Sequence, residues 1–235
     1  MSDLPSVENG EGFLLPRAVP DVDELRQLEK LKVELLNLEG TYAELKAQEQ
    51  QGTYTSLNIA SALLRTHAGL DAATGHGSNT PQRFVAMLDE LTQCKDCEGQ
   101  CMKWKTFESD VDQMIVVSRI PFSSVCNHHV VPFVGHAWIG YIPDGAIAGL
   151  SKFARVVHHF AHRLQVQEEL TDQVAYFLEK ELVPKGVMVV MEAEHLCMTI
   201  RGVQTPGTTT RTVVTTGVFA DHNRTAKAEF LMGIK

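Results

Sequence analysis

Two hydrophobic rhythms alternate along the chain. In DVDELRQLEKLKVELLNLEGTYAELKAQEQ, Leu28, Leu31, Leu35, Leu38, Tyr42 and Leu45 recur at intervals of three and four, the seam of an amphipathic helix interrupted by Gly40. So short a seam fits a helix packed on its own domain better than a self-association helix. SLNIASALLRTHAGL predicts a second helix, and TPQRFVAMLDEL a third, with Thr80 as its cap and Pro81 at the first helical position. From Met114 the period shortens to that of strands, in MIVVSRIPF and VGHAWIGYI. GLSKFARVVHHFAHRLQ returns to helical spacing, with Phe153, Val156, Val157, Phe160 and Leu164 on one face and Ser151 as a candidate cap. QEELTDQVAYFLEKEL predicts a further helix, stopped by Pro184 and Gly186. VMVVMEAEHLCMTIRGV reads as one long strand and TTTRTVVTTGVF as a β-branched one. Hairpin-like strands with two helices between them predict an α+β fold with an antiparallel sheet.

The bulk composition narrows the function class. The chain has 235 residues, enough for one sizeable domain with an appendage. Its formal net charge of −8 argues against a general nucleic-acid binder, which needs clustered basic residues. A few focused arginines can still hold an anionic small ligand. No basic segment followed by an apolar core opens the sequence, and VMVVM is far too short to span a bilayer. Five cysteines, an odd number, point to a reducing compartment in which thiols bind metal or react. A cytoplasmic protein is the expectation.

The chemistry concentrates in two places. SSVCNHHVVPFVGHAWIGY puts Cys126, His128 and His129 between two strand-like runs. In the strand expected over 187–203, Val189, Met191, Ala193, His195, Cys197, Thr199 and Arg201 would share one face. Cys126 and Cys197, with His129 or His128, make a soft three-ligand set suited to zinc, with the fourth position open to water. That is the catalytic rather than the structural pattern, because zinc lowers the pKa of its water toward ~7. The histidine left over is free for proton transfer.

Several motifs together resemble the GTP cyclohydrolase I family. These are CNHHVVPFVGHAWIGYIP, GLSKFARVVHHFAHRLQVQEELT and EAEHLCMTIRGV, with TPQR and the closing GVF in support, over roughly residues 55–235. The resemblance implies a tunnelling fold for 55–235; residues 1–20, rich in Pro, Gly and acidic residues, read as a mobile leader, and the leucine seam makes 21–54 a helical appendage. It implies zinc held by Cys126, His129 and Cys197, with His128 and His195 as the acid–base pair. Gln167 and Glu168 match the purine-recognition positions, where a carboxylate can accept both N1–H and the exocyclic amine of guanine. Ser151, Lys152, Arg155 and Arg201 match the triphosphate contacts, with Arg83 a further candidate; arginine suits bidentate phosphate contact. The implied reaction opens the purine of GTP, releases formate and rearranges to 7,8-dihydroneopterin triphosphate, a precursor for folate, biopterin or 7-deazaguanine pathways. The family assembles as a homodecamer with sites between subunits.

Three features depart from the family pattern. Asn127 stands where a glutamate is common, Ala86 where a basic residue is frequent, and Cys94, Cys97 and Cys101 add a C-x2-C-x3-C cluster. That cluster supplies only three ligands, so loop thiols are favoured over a second zinc site. His158 and His162 are one helical turn apart but lack an acidic partner between them, and read as surface histidines. Asn127 leaves open an enzyme that stops at the formamide intermediate. Together the departures leave open a zinc-stabilised binding protein without turnover.

Overall fold

The computed structural model of the protein describes residues 56–71, 75–94, 102–220 and 225–234. The expected leader and the leucine-seam helix lie outside the described residues. The chain divides between Asp71 and Ala72. The one described helix of the first part is α1 (Ser56–Ala68), with Arg65 in its last turn, where a cation meets the negative end of the dipole.

The second part opens with α2 (Thr80–Leu91). Two short strands, β1 (Thr106–Glu108) and β4 (Ala146–Ala148), pair antiparallel with each other. The main sheet contains β2 (Ile115–Cys126), β3 (Pro132–Ile142), β5 (Leu164–Gln165), β6 (Gly186–His195) and β7 (Thr209–Thr215) in the order β5-β2-β3-β6-β7. All its pairings are antiparallel except β2 with β5. Two helices, α3 (Ser151–Ala161) and α4 (Gln167–Leu182), cover one face. This is the expected α+β organisation, an antiparallel sheet carrying packed helices.

Period-two alternation explains which side chains meet those helices. From β3, Phe133, Ala137, Ile139 and Tyr141 point inward; from β6, Val187, Val189, Met191 and Ala193 do. They pack against Phe153, Val156, Val157 and Phe160 of α3 and Leu170, Val174, Phe177 and Leu178 of α4. The alternate residues Trp138, Met188 and Val190 form a smaller cluster on the opposite face with Phe219 and Phe230, the latter from α6 (Thr225–Gly233). Both faces of β6 are therefore buried at its centre, which is why VMVVM carries no polar residue.

Four local expectations are corrected. The strand expected over 187–203 ends at His195, and Leu196–Thr199 forms a single helical turn, α5, closed by a bond from the Ile200 N–H to the Leu196 carbonyl. Cys197, Thr199 and Arg201 thus leave the strand alternation. Leu164 is not on the α3 face: that helix stops at Ala161, and Leu164 sits in β5 at 45% exposure. Ser151 is the first helical residue rather than a cap, and the same holds for Thr80, whose helix is preceded by Asn79. In both cases no side chain caps the helix.

At its other end α4 stops on Val183, which is left-handed (φ 48°, ψ 52°) and exposed. An L-residue in this region costs about 1–2 kcal/mol, whereas glycine there costs roughly 0.5–1 kcal/mol in unfolded-state freedom. Val183→Gly is therefore expected to raise the thermal unfolding midpoint, with a gain of about 1 kcal/mol or less. An unchanged or lower midpoint would show that this turn carries no net strain.

Candidate active site

The hairpin joining β2 to β3 is tied at both ends by backbone bonds. Cys126 N–H donates to the Val131 carbonyl at 3.0 Å, while the Cys126 carbonyl accepts from His129 and Val130 at 3.3 and 2.9 Å. The Asn127 N–H reaches the Gln165 carbonyl at 2.9 Å, so β5 braces the loop from the other side. Val130 takes φ 53°, an uncommon conformation for a β-branched residue, directly after His129. The loop is thus a constrained turn that holds Cys126 buried while leaving both histidines exposed.

Cys197 reaches this loop through the α5 turn. The ligand atoms of Cys126, His129 and Cys197 all lie within 4.8 Å of one another. Cys126 Sγ stands 3.8 Å from His129 Nδ1, close to the ligand–ligand edge of a tetrahedral zinc site, which is about 3.6 Å for the usual Zn–S and Zn–N lengths. His128 Nδ1 is also 3.8 Å from Cys126 Sγ, but His128 is not in the group that includes Cys197. The donor set of two thiols and one imidazole fits a metal ion. Burial raises the Cys197 thiol pKa, and the neighbouring Cys126 adds to the shift, while Arg201 opposes it. Two thiols pushed against each other in a partly dry site are what a divalent cation would relieve.

His195 occupies the last position of β6 on the helix-covered face, opposite Phe133. Their rings stack at 4.7 Å with an interplanar angle of 3°. Its Nε2 lies 2.8 Å from Gln167 Oε1. Burial lowers the His195 pKa, and the Glu168 carboxylate opposes that shift. Glu168 therefore lies close enough to His195 to act on it electrostatically.

Gln167 and Glu168, adjacent in sequence, behave differently. Glu168 is exposed in the first turn of α4, where a carboxylate also favours the helix dipole. Gln167 is 1% exposed. Its Nε2 lies 3.3 Å from the Met191 carbonyl, 3.0 Å from that of Thr210 and 3.1 Å from Thr212 Oγ1. Its amide is thus directed into the protein, toward His195 and β7.

The cations divide into two groups. Arg201 lies close enough to Cys197 to act on its thiol. Ser151, Lys152 and Arg155 occupy the first turns of α3, and the Lys152 ammonium donates to the Lys103 carbonyl at 2.6 Å. The opposite end of α3 is the one near the Cys126 loop, because Ser124 Oγ donates to the Ala161 carbonyl at 2.6 Å. Arg83 is exposed on α2. Asn127 and Ala86 are exposed as well. Cys97 and Cys101 lie outside the described residues, and Cys94 is a free thiol. His158 bonds the Pro121 carbonyl at 2.9 Å and His162 pairs with Gln93 at 3.0 Å, roles that need no metal.

Sequence reasoning missed Phe133, Thr171 and Thr212. Thr171 lies four residues after Gln167 on α4, a spacing legible in the sequence. Phe133 and Thr212 enter only through strand register, which no local pattern specifies.

Comparison with known proteins identifies the family. The family model described as GTP cyclohydrolase I matches residues 58–235. GTP cyclohydrolase 1 of Aquifex aeolicus is 48% identical over 158 residues, covering 66% of this chain and 83% of that protein. The enzyme of the same name from Halalkalibacterium halodurans is 44% identical over 168 residues, covering 71% and 89%. Among solved structures, an archaeosine synthase QueF-like protein in its apo form matches with 19% identity and a TM-score of 0.39, over 47% of this chain and 97% of that one. With the family match spanning the whole site-bearing part of the sequence, this chain belongs to the GTP cyclohydrolase I family and is a GTP cyclohydrolase.

Proposed function

We propose that the protein is a zinc-dependent enzyme that carries GTP through to 7,8-dihydroneopterin triphosphate. The observation that carries this reading is the convergence of Cys126, His129 and Cys197 with His195 only two residues from a ligand. Zinc held there would supply an activated water near neutral pH. The chain's own residues supply the rest. Protonation of guanine N7 makes C8 electrophilic, and His128 and His195 are the groups able to move that proton. Glu168 accepts from N1–H and the exocyclic amine, selecting guanine over adenine. Hydrolysis at C8 consumes two waters and releases formate, and closing the pterin ring returns one. Proton transfers in those later steps fall to the same histidines.

The position of Ser151, Lys152 and Arg155 supports a site shared between subunits. Ser151 lies ten helical steps, about 15 Å, before Ala161 and Arg155 six steps, about 9 Å, so this cluster sits toward the end of α3 remote from the Cys126 loop. A homodecamer would bring a neighbour's α3 cations to each pocket, leaving Arg201 as the cation beside its own metal. Residues 55–235 form the catalytic domain in this reading, with 1–20 and 21–54 appended.

Two predictions test it. Zinc-loaded protein incubated with GTP should form dihydroneopterin triphosphate and formate, and hold one zinc per chain. Cys197→Ser should lose both the zinc and the product. Consumption of GTP with accumulation of the formamide would replace the proposed product with a truncated reaction. Intact GTP in a zinc-replete oligomer would sink the enzymatic reading.

Glu168→Gln removes a charged acceptor from two donors, so kcat/KM for GTP should fall about 10- to 100-fold, the range for lost hydrogen bonds to charged groups. Steady-state kinetics at matched zinc content measure this. An unchanged kcat/KM would leave Glu168 with only its helix-dipole role.

A further inference from the structure

The buried hydrogen bonds around Gln167 fix more than its own position. Its amide nitrogen faces two backbone carbonyls, Thr210 at 3.0 Å and Met191 at 3.3 Å. Carbonyls only accept, so the group facing them must be the NH2 end. A reversed amide would set its oxygen against both. The threonines agree with this assignment. Thr171 Oγ1 donates its proton to the Gln167 backbone carbonyl at 2.8 Å. The hydrogen bond between Thr171 and Thr212, 2.6 Å long, must then use the Thr212 proton. Thr212 Oγ1 is left to accept from the Gln167 NH2 at 3.1 Å. The two amide protons serve three acceptors, so one of them is shared, and each threonine proton has one consistent direction.

The amide oxygen of Gln167 is thereby the end aimed at His195, 2.8 Å from Nε2. Two lone pairs cannot face each other at that distance, so Nε2 carries the proton. Phe133 stacks flat on the same ring and opposes its rotation. Among the described residues, no hydrogen bond holds His195 Nδ1.

We propose that Gln167 is a positioning residue that locks His195 as the Nε2–H tautomer, making Nδ1 the nitrogen that exchanges protons with substrate. In its neutral form His195 therefore meets the substrate as an acceptor at Nδ1. It becomes a donor there only after taking up a proton. Thr212 and Thr171 act one and two steps further out, by holding the amide in its orientation. Gln167 thus contributes through His195 and makes no direct purine contact. The effect on turnover rests on the GTP cyclohydrolase reading, but the tautomer does not.

The test has one readout independent of activity. In zinc-loaded full-length protein labelled with 15N histidine, His195 is assigned by the signal lost in His195→Asn. Its two-bond couplings should show the Nε2–H pattern in wild type and a mixture of tautomers in Gln167→Met. An Nδ1–H pattern in wild type would overturn the proposal whether or not GTP is turned over. For kinetics, Gln167→Met should lower kcat about 10- to 100-fold, the range for outer-shell partners of site histidines, with KM for GTP within about threefold. Thr212→Val, which preserves strand shape, should lower kcat by a smaller factor at unchanged zinc content. The double variant should be no slower than Gln167→Met alone, because both changes act through one ring. A rise in KM with kcat intact, or additive losses in the double variant, would make Gln167 a substrate contact instead.

Discussion

The site depends first on the register of β6 against β3. Phe133 pairs with His195 at the last rung of that ladder, and Ala193 with Gly135 two rungs earlier. A slip of one residue would turn His195 onto the face of Trp138 and Met188, away from Gln167 and the helices. Gly135 protects the register by its lack of a side chain, since a Cβ there would collide with the Glu192 carbonyl and with Ala193. Along the same margin of the sheet, Val125 pairs with Pro132 and Cys126 with Gln165. Four strand ends therefore meet at one rim, and each delivers a residue of the site or one that braces it.

What happens beyond the last rung is as consequential. Had β6 continued as a strand, Cys197 would have stood about 7 Å beyond His195 on the same face, at strand rise. Instead the chain turns into α5 immediately after His195, and the thiol swings toward Cys126. Cys197 and His195 are thus separated in direction despite being two apart in sequence. Cys197 joins Cys126 and His129 while His195 stacks on Phe133 and bonds Gln167.

This explains which parts of the molecule were legible in the sequence. The helices α3 and α4 and the strands β3 and β7 follow from periodicity, because their buried stripes are continuous over several turns or rungs. That Cys126, His129 and Cys197 would come together was readable from their residue types and the resemblance of their motifs. The α5 turn was not legible: no Gly, Pro or Asn stands between His195 and Gly202 to end the strand pattern, so the sequence carries no local stop signal there. The amide of Gln167 was unreadable for another reason. Its three acceptors come from β6 and β7, two of them backbone carbonyls that carry no sequence signal.

The two ends of α3 bear on how the proposed reaction is divided among chains. Its C-terminal end is fastened to the sheet beside the Cys126 loop by Ser124, and Gln165 extends the contact through the Phe160 carbonyl at 2.7 Å. Its N-terminal end presents Ser151 and Arg155 outward, with Leu150 exposed beside them. The helix core between is fully buried through Phe153, Val156 and Val157, so neither end can move without the other. A rigid rod that keeps one set of groups at its own site and offers another outward suits a pocket completed by a neighbour. In such an arrangement assembly would be part of catalysis: Arg201 would meet the phosphates from the chain that holds the purine chemistry, and the α3 group would come from its neighbour.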